Sequence, residues 1–437
     1  VAHLHYVLVG GMVFPLFAAF YHWAPYCSRN ALSERLGRWV FGLMFVGFNV
    51  AFFPMHLSGL LGMPRRVYTY PAALGLDWLN LISTIGAFMV AAGVAVFIVD
   101  LVRHFRMASD QNAGNVWNAG TLEWLPSGSY SNRSIPIVES REPLWDDPAL
   151  ARNVEDGHYY LPDAPTGGRE TLVTHPLTAE PQWLMRMPTP GWAHFIGALF
   201  TAGFFLLLTV KATLPALLCA VIAVAALLHW AWVLDPKPLP QPLHIGGGIH
   251  VPAYMCGPQS QSWWAMVVLM LVAGTMYGCA AFSYLYLWTS ASRWWPAADA
   301  VPGLALPALA VVVLLASSVA VEWAGRCLQR GRSPVPGLVG AMAFFGLGFA
   351  LEIATQRQLS PSASSYGAAV YLLLSMQGFI GVVAAVLAAY AVARSLAGLL
   401  DRERRVNFDN ARLFWHYAVG QSLVGSLLLH GFVRWVA

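Results

Sequence analysis

Apolar runs long enough to cross a hydrocarbon core recur along the chain, separated by short polar breaks. A core of about 30 Å needs about 20 helical residues. The first run extends from about Ala2 to Trp23 and is closed by Pro25 and the polar stretch Ser28 to Gly37. The second covers about Trp39 to Leu61, and the third about Asp77 to Val102, ending in Arg103-His104-Phe105-Arg106. From about Met107 to Thr189 the residues are Asn, Ser, Pro, Gly, Asp and Glu in the main, with no sustained helical periodicity. That composition predicts a soluble insert whose acidic surplus is a solvated face. Two runs follow, about Gly191 to Val210 and Leu214 to Leu234, joined by Lys211-Ala212-Thr213 as a tight helical hairpin. Asp235-Pro236-Lys237-Pro238-Leu239-Pro240 then opens a Pro- and Gly-rich stretch that includes His244-Ile245-Gly246-Gly247-Gly248-Ile249-His250. With no strand before it and no Lys-Ser/Thr after it, this reads as a flexible linker rather than a phosphate or metal loop. Five more runs complete the chain: about Ser262 to Trp288, Leu304 to Cys327, Val335 to Ile353, Tyr366 to Leu396 and Arg412 to Val436. The expected fold is all-α, a polytopic transmembrane helix bundle of about ten spans with one soluble insert.

Composition agrees. Of 437 residues, 57% are hydrophobic and only 11% charged, where soluble domains carry roughly 25% charged residues. The net charge of +4 is small and spread over loops, so nucleic acid is not a partner. The five cysteines, Cys27, Cys219, Cys256, Cys279 and Cys327, show no C-x-x-C spacing. Four lie in or beside apolar runs, which favours packing over disulfides or zinc. The sequence opens without Met, directly inside an apolar run, so the expectation is a fragment of a longer polypeptide.

The candidate chemistry lies at the start, in Val1-Ala2-His3-Leu4-His5-Tyr6-Val7. Two residues turn an α-helix by about 200° and advance it by about 3 Å. His3 and His5 therefore face nearly opposite sides at nearly one depth. They cannot chelate one ion, but they can serve two sites side by side. Spacing alone leaves two readings open: hydrogen bonding at the membrane interface, or ligation of metal or haem, since ionisable residues in a membrane helix default to a functional hypothesis.

The surrounding residues carry a resemblance. VAHLHYVLVGGMVFPLFAAFYHW is similar to the tenth helix of subunit I of the haem-copper cytochrome c oxidases. Phe52-Phe53-Pro54-Met55-His56 and Gly62-Met63-Pro64-Arg65-Arg66 resemble that family's F-F-P-Q-H and G-M-P-R-R, in order and spacing. The resemblance implies that His3 is the proximal ligand of the oxygen-binding high-spin haem. It implies that His5 is one axial ligand of the low-spin haem, and that Arg65 and Arg66 hold haem propionates. Two haem A groups are the expected cofactors. The copper site, the second low-spin ligand and the main proton channels would belong to earlier helices, so this fragment alone is expected to be inactive.

Further on, Asn118-Ala119-Gly120-Thr121-Leu122-Glu123-Trp124 and Arg141-Glu142-Pro143-Leu144-Trp145 resemble the tail after the last subunit I helix in bacterial oxidases. Leu314-Leu315-Ala316-Ser317-Ser318-Val319 and Phe414-Trp415-His416-Tyr417 resemble subunit III motifs. The resemblance thus implies a bacterial subunit I/III fusion. Its expected division is 1–106, the last three haem-binding helices of subunit I; 107–190, the insert; 191–234, the hairpin; 235–261, the linker; and 262–437, a subunit III-like five-helix bundle. Two departures stand out. Ala273 and Gly274 lie where the family often carries a buried Glu, and Val419 stands where its last helix has Asp. They favour packing and lipid binding over a proton-antenna role for this half. The expected partners are the amino-terminal part of subunit I, subunit II with its copper centre, cytochrome c and lipids.

Loop charge tests the arrangement, because Lys and Arg in short loops prefer the cytoplasm. Arg29, Arg35 and Arg38, Arg103 and Arg106, Arg326, Arg330 and Arg332, and Arg394, Arg402, Arg404, Arg405 and Arg412 fall on one side if every run crosses once. The opposite loops carry Lys211, Arg293 and Arg357, with Arg65-Arg66 as the exception. This places the His3/His5 end and the carboxy terminus on the periplasmic side of a bacterial cytoplasmic membrane. Haem propionates would explain the exception, since guanidinium pairs carboxylate in a bidentate way that Lys cannot copy. The competing class is a polytopic scaffold or proton-coupled transporter, but such proteins show internal repeats and paired helix breaks, and none is visible here.

Overall fold

The first three apolar runs fold as three long helices, α1 (Ala2–Cys27), α2 (Glu34–Leu60) and α3 (Asp77–His104). The computed structural model describes residues 1–108, 113–125, 136, 138–159, 170–186, 191–234, 242–246, 248–290, 295–296 and 303–436. Within these, eight helices are long and apolar enough to cross a membrane. The chain divides into two units, Val1–Thr171 and Leu172–Ala437.

In the first unit, local chemistry moves two helix boundaries from where the apolar pattern puts them. Pro25 was expected beyond the end of α1, yet the helix runs through it to Cys27 and stops at Ser28, whose backbone is extended. A proline in the last turn forfeits one backbone bond rather than a whole helix. α2 starts at Glu34, not Trp39, because Ser33 caps it: the Leu36 N–H donates to Ser33 Oγ at 3.4 Å, satisfying one of the first-turn donors that no carbonyl reaches. A wide π turn, Val9–Val13, interrupts α1 at Gly10-Gly11. α2 is re-nucleated by Pro54 after Phe53, the position that tolerates a missing N–H.

α2 and α3 pack closely. Gly86 of α3 sits where an added Cβ would overlap the backbone of Ala51 on α2, so the two backbones come together as small residues allow in membranes. At the Arg-rich end one side chain ties all three helices. Asp100 is fully buried and accepts the Tyr21 hydroxyl at 3.0 Å, the Ser33 N–H at 3.1 Å and His104 Nδ1 at 2.7 Å. The start of the insert folds back on this end: the N–H groups of Ala113 and Gly114 donate to the carbonyls of Ser28 and Pro25. The Trp117 indole donates to Glu34 at 2.6 Å. The insert also forms two short helices, α4 (Pro143–Asp146) and α5 (Leu150–Glu155); a strand pair, β1 (Glu170–Thr174) with β2 (Pro181–Arg186), follows where the second unit begins. Its residues 109–112, 126–135, 137, 160–169 and 187–190 lie outside the described residues.

In the second unit, α6 (Ala193–Thr209) and α7 (Thr213–Val233) make the expected hairpin. Asp235 to Pro240 lie outside the described residues. The stretch expected as a flexible linker is instead a β-hairpin, β3 (Leu243–His244) paired antiparallel with β4 (His250–Val251). Gly246 and Gly248 have positive φ, 96° and 75°, a conformation open to glycine at no steric cost, and they close the turn.

Five helices follow: α8 (Gln261–Ser290), α9 (Ala305–Gln329), α10 (Val335–Gln356), α11 (Ser365–Leu396) and α12 (Val406–Ser426), the last continuing through a π segment, Leu427–Phe432. Their shared core includes Leu314, Val321, Phe345, Ala384, Phe408 and Trp415. Trp415 Nε1 donates to the buried Ser317 hydroxyl at 3.2 Å. Val419, at the position of the missing Asp, is packed into the core. No disulfide occurs among the described residues.

Candidate functional site

His3 and His5 both lie on the first α-helical turns of α1. His5 is half-buried and its ring stacks on Phe52 of α2, centroids 4.3 Å apart and 14° from parallel. His3, about 200° round the helix, is exposed. The two imidazoles therefore do not share a neighbour. His5 Nδ1 donates to the Val1 carbonyl at 2.9 Å. That bond sets the tautomer and leaves Nε2 with its lone pair, the state a ligating histidine needs.

The next residue locks the helix pair. The Tyr6 hydroxyl donates to Asn49 Oδ1 at 2.9 Å, and its ring lies 4.7 Å from Phe48 and 5.5 Å from His56. The start of α1 thus packs against the last turns of α2. Arg65 and Arg66 follow α2 within a few residues and leave at the same end of the unit as His3 and His5. Both arginines are exposed, and no ion pair to either is found among the described residues. Arg66 has φ of 65°, an uncommon backbone for a non-glycine residue that deserves a functional reading when it borders a site. The set therefore offers an oriented imidazole, a second imidazole on the opposite face, and two exposed guanidiniums. Imidazole nitrogen can ligate a transition metal, and a guanidinium can pair a carboxylate in a bidentate way.

Residues 1–89 match the family described as cytochrome c and quinol oxidase polypeptide I, and residues 267–429 match cytochrome c oxidase subunit III. These matches support a fusion of a subunit I segment with a subunit III segment. The chain is 42% identical over 148 residues to cytochrome c oxidase subunit 1 of Alkalihalophilus pseudofirmus, covering 33% of this chain and 24% of the relative. It is 41% identical over 147 residues to quinol oxidase subunit 1 of Bacillus subtilis, covering 32% and 23%. A longer match, 32% identical over 257 residues, is to a probable quinol oxidase subunit 1 of Staphylococcus haemolyticus, covering 58% of this chain and 34% of the relative. The chain thus spans about a quarter to a third of the length of these relatives. The family is one of haem and copper proteins that assemble from several subunits, and the apolar helices make this a multi-pass membrane protein.

The subunit III segment holds a polar site that the sequence does not announce. His430, near the end of the last apolar run, is buried, and its Nε2 meets Glu352 Oε1 at 2.9 Å. Glu352 Oε2 accepts the Ser426 hydroxyl at 3.1 Å. Neither residue belongs to a motif, and they come from different helices, so spacing offers no signal. A hint lies only in Glu352 itself, a carboxylate inside an apolar run, where charge is costly unless paired. In the Asp100 cluster only the i,i+4 spacing to His104 is visible along the chain, because Tyr21 and Ser33 come from elsewhere.

Proposed function

We propose that this chain is the haem-bearing carboxy-terminal part of subunit I, continuous with subunit III, of a terminal respiratory oxidase. In the complete complex the oxidase passes electrons from cytochrome c to O2, forming water and translocating protons, across a bacterial cytoplasmic membrane with the His3/His5 end outside. The observation that carries this reading is His5: oriented through Nδ1 by Val1, backed by Phe52, and set opposite an exposed His3 on one helix.

The division of labour follows from the residues. His5 would ligate the low-spin haem iron through Nε2, with Phe52 holding the ring plane. His3 would be the proximal ligand of the high-spin haem iron, leaving that iron's other face open, as oxygen binding requires. Arg65 and Arg66 would pair with the propionates, where fixed positive charge also stabilises the carboxylates. When bound, the two haems, which we assign as haem A, supply the electron transfer and oxygen chemistry. One helix carrying both ligands keeps the two sites a single leucine apart. The copper site and the second low-spin ligand are assigned to the amino-terminal part of subunit I, and the dinuclear copper to subunit II, so turnover requires those partners.

Residues 1–106 are thus the haem-binding part, 107–190 an insert, 191–234 a transmembrane hairpin, 235–261 a connector, and 262–437 a packing and lipid-binding bundle. The test is the optical spectrum of the purified complex. His5→Ala should abolish the low-spin haem signal while the high-spin signal persists, and His3→Ala should do the converse. Unchanged spectra in both variants would overturn the assignment.

A further inference from the structure

The hairpin between α7 and α8 carries two imidazoles that the oxidase reading leaves unused. Its register is Leu243 opposite Val251 and His244 opposite His250. Successive side chains on a strand point to opposite faces, and burial follows that rule: Leu243 and Val251 are buried, while His244 is half-buried and His250 exposed. The apolar pair therefore fixes which face the histidines occupy, because a one-residue slip would exchange the two faces. The hairpin is held from both ends. The Ile245 N–H donates to the Ile249 carbonyl at 3.0 Å, and the Leu184 N–H of β2 donates to the Pro252 carbonyl at 3.0 Å.

On this face the two rings stand with centroids 5.1 Å apart, inclined by 49°. Zinc binds imidazole nitrogen at about 2.0–2.1 Å in tetrahedral geometry, which separates two ligating rings by about 5 Å between centroids. His250 Nδ1 lies 3.2 Å from the Gly248 carbonyl. It can only donate to that acceptor, so Nε2 is the ring's free base, the orientation that outer-shell carbonyls impose on ligating histidines. We propose that His244 and His250 form a site for a borderline divalent cation of the zinc and copper class, clipped across the hairpin and completed by water. Imidazole ligands suit these ions and not magnesium or calcium. Two imidazoles by themselves give micromolar rather than structural-zinc affinity, and among the described residues no third His, Cys, Asp or Glu joins the pair.

The test uses the complete oxidase complex, stripped with a chelator and titrated with Zn2+ against a chromogenic zinc indicator. The expected result is one equivalent bound in the micromolar range. Each of His244→Ala and His250→Ala should weaken it at least tenfold, and the exposed His158→Ala should leave it unchanged. Cu2+ bound to the wild-type complex should show nitrogen coupling in its electron paramagnetic resonance spectrum that both variants lose. Both substitutions lie on the face away from Leu243 and Val251, so the hairpin keeps its apolar anchor. Titrations of the two variants that superimpose on wild type, or a loss confined to one of them, would overturn the proposal.

Discussion

Glu352 and His430 stand 78 residues apart in the chain and 2.9 Å apart in the fold. Their side chains are 2% and 4% exposed, so the pair is sealed inside the subunit III segment. Removing one partner of such a pair leaves the other buried without compensation, which costs about 3–5 kcal/mol, whereas replacing both by apolar residues of similar volume is often neutral. Glu352→Leu and His430→Leu should each lower stability by several kcal/mol, and the double variant should recover most of it. Thermal unfolding of the detergent-solubilised complex, followed as a double-mutant cycle, measures the coupling.

Asp100 has the same role at the Arg-rich end of the subunit I segment. Its carboxylate receives bonds from α1, from the residue that caps α2, and from the last turn of α3. Asp100→Ala leaves the half-buried Ser33 N–H and Tyr21 hydroxyl without their acceptor, at about 1 kcal/mol for each bond lost. The variant should unfold at lower denaturant, while Tyr21→Phe, which removes one partner, should cost about 1 kcal/mol. If the two variants unfold together with wild type, the carboxylate does not hold the three helices.

Arg66 separates backbone conformation from function. With φ at 65°, Arg66→Gly adopts the same turn without steric cost and should leave folding intact or slightly improved. It removes the guanidinium, so the same variant should bind haem less tightly and shift a haem midpoint potential. Arg66→Lys keeps the charge without the bidentate fork and should fall between. Redox titration of the purified complex with unchanged melting is the expected signature.

Cys256 lies outside the membrane helices, and its thiol donates to the Glu403 carbonyl at 2.8 Å. Burial is the main reason that its pKa is pushed above the ordinary thiol value. A raised pKa means less thiolate at neutral pH, and the thiolate is the reactive form. Alkylation of Cys256 by iodoacetamide should therefore be slower at pH 7–8 than that of a free cysteine, and should climb only at higher pH. Mass spectrometry of the labelled peptide across a pH series reads this directly.

Much of the fold is legible in the apolar pattern. The ten runs correspond to helices, because a stretch of about 20 apolar residues has few other stable states in a membrane. The misplaced boundaries have local causes. Ser33-Glu34 is a cap hidden inside a polar stretch, and Pro25 is absorbed by a final turn. The hairpin at His244 and His250 escaped because strands of two residues carry no periodicity.

By itself the sequence determined the membrane class, the order of the spans and the opposed placement of His3 and His5, since helical pitch converts a spacing of two into opposite faces without reference to any neighbour. Only tertiary structure decided what each histidine meets. Phe52 reaches His5, Glu352 reaches His430, and Val251 holds the face on which His244 and His250 stand. The reason is physical: helical and strand geometry act over a few residues, whereas pairing between distant side chains depends on which faces the packed segments bury against one another.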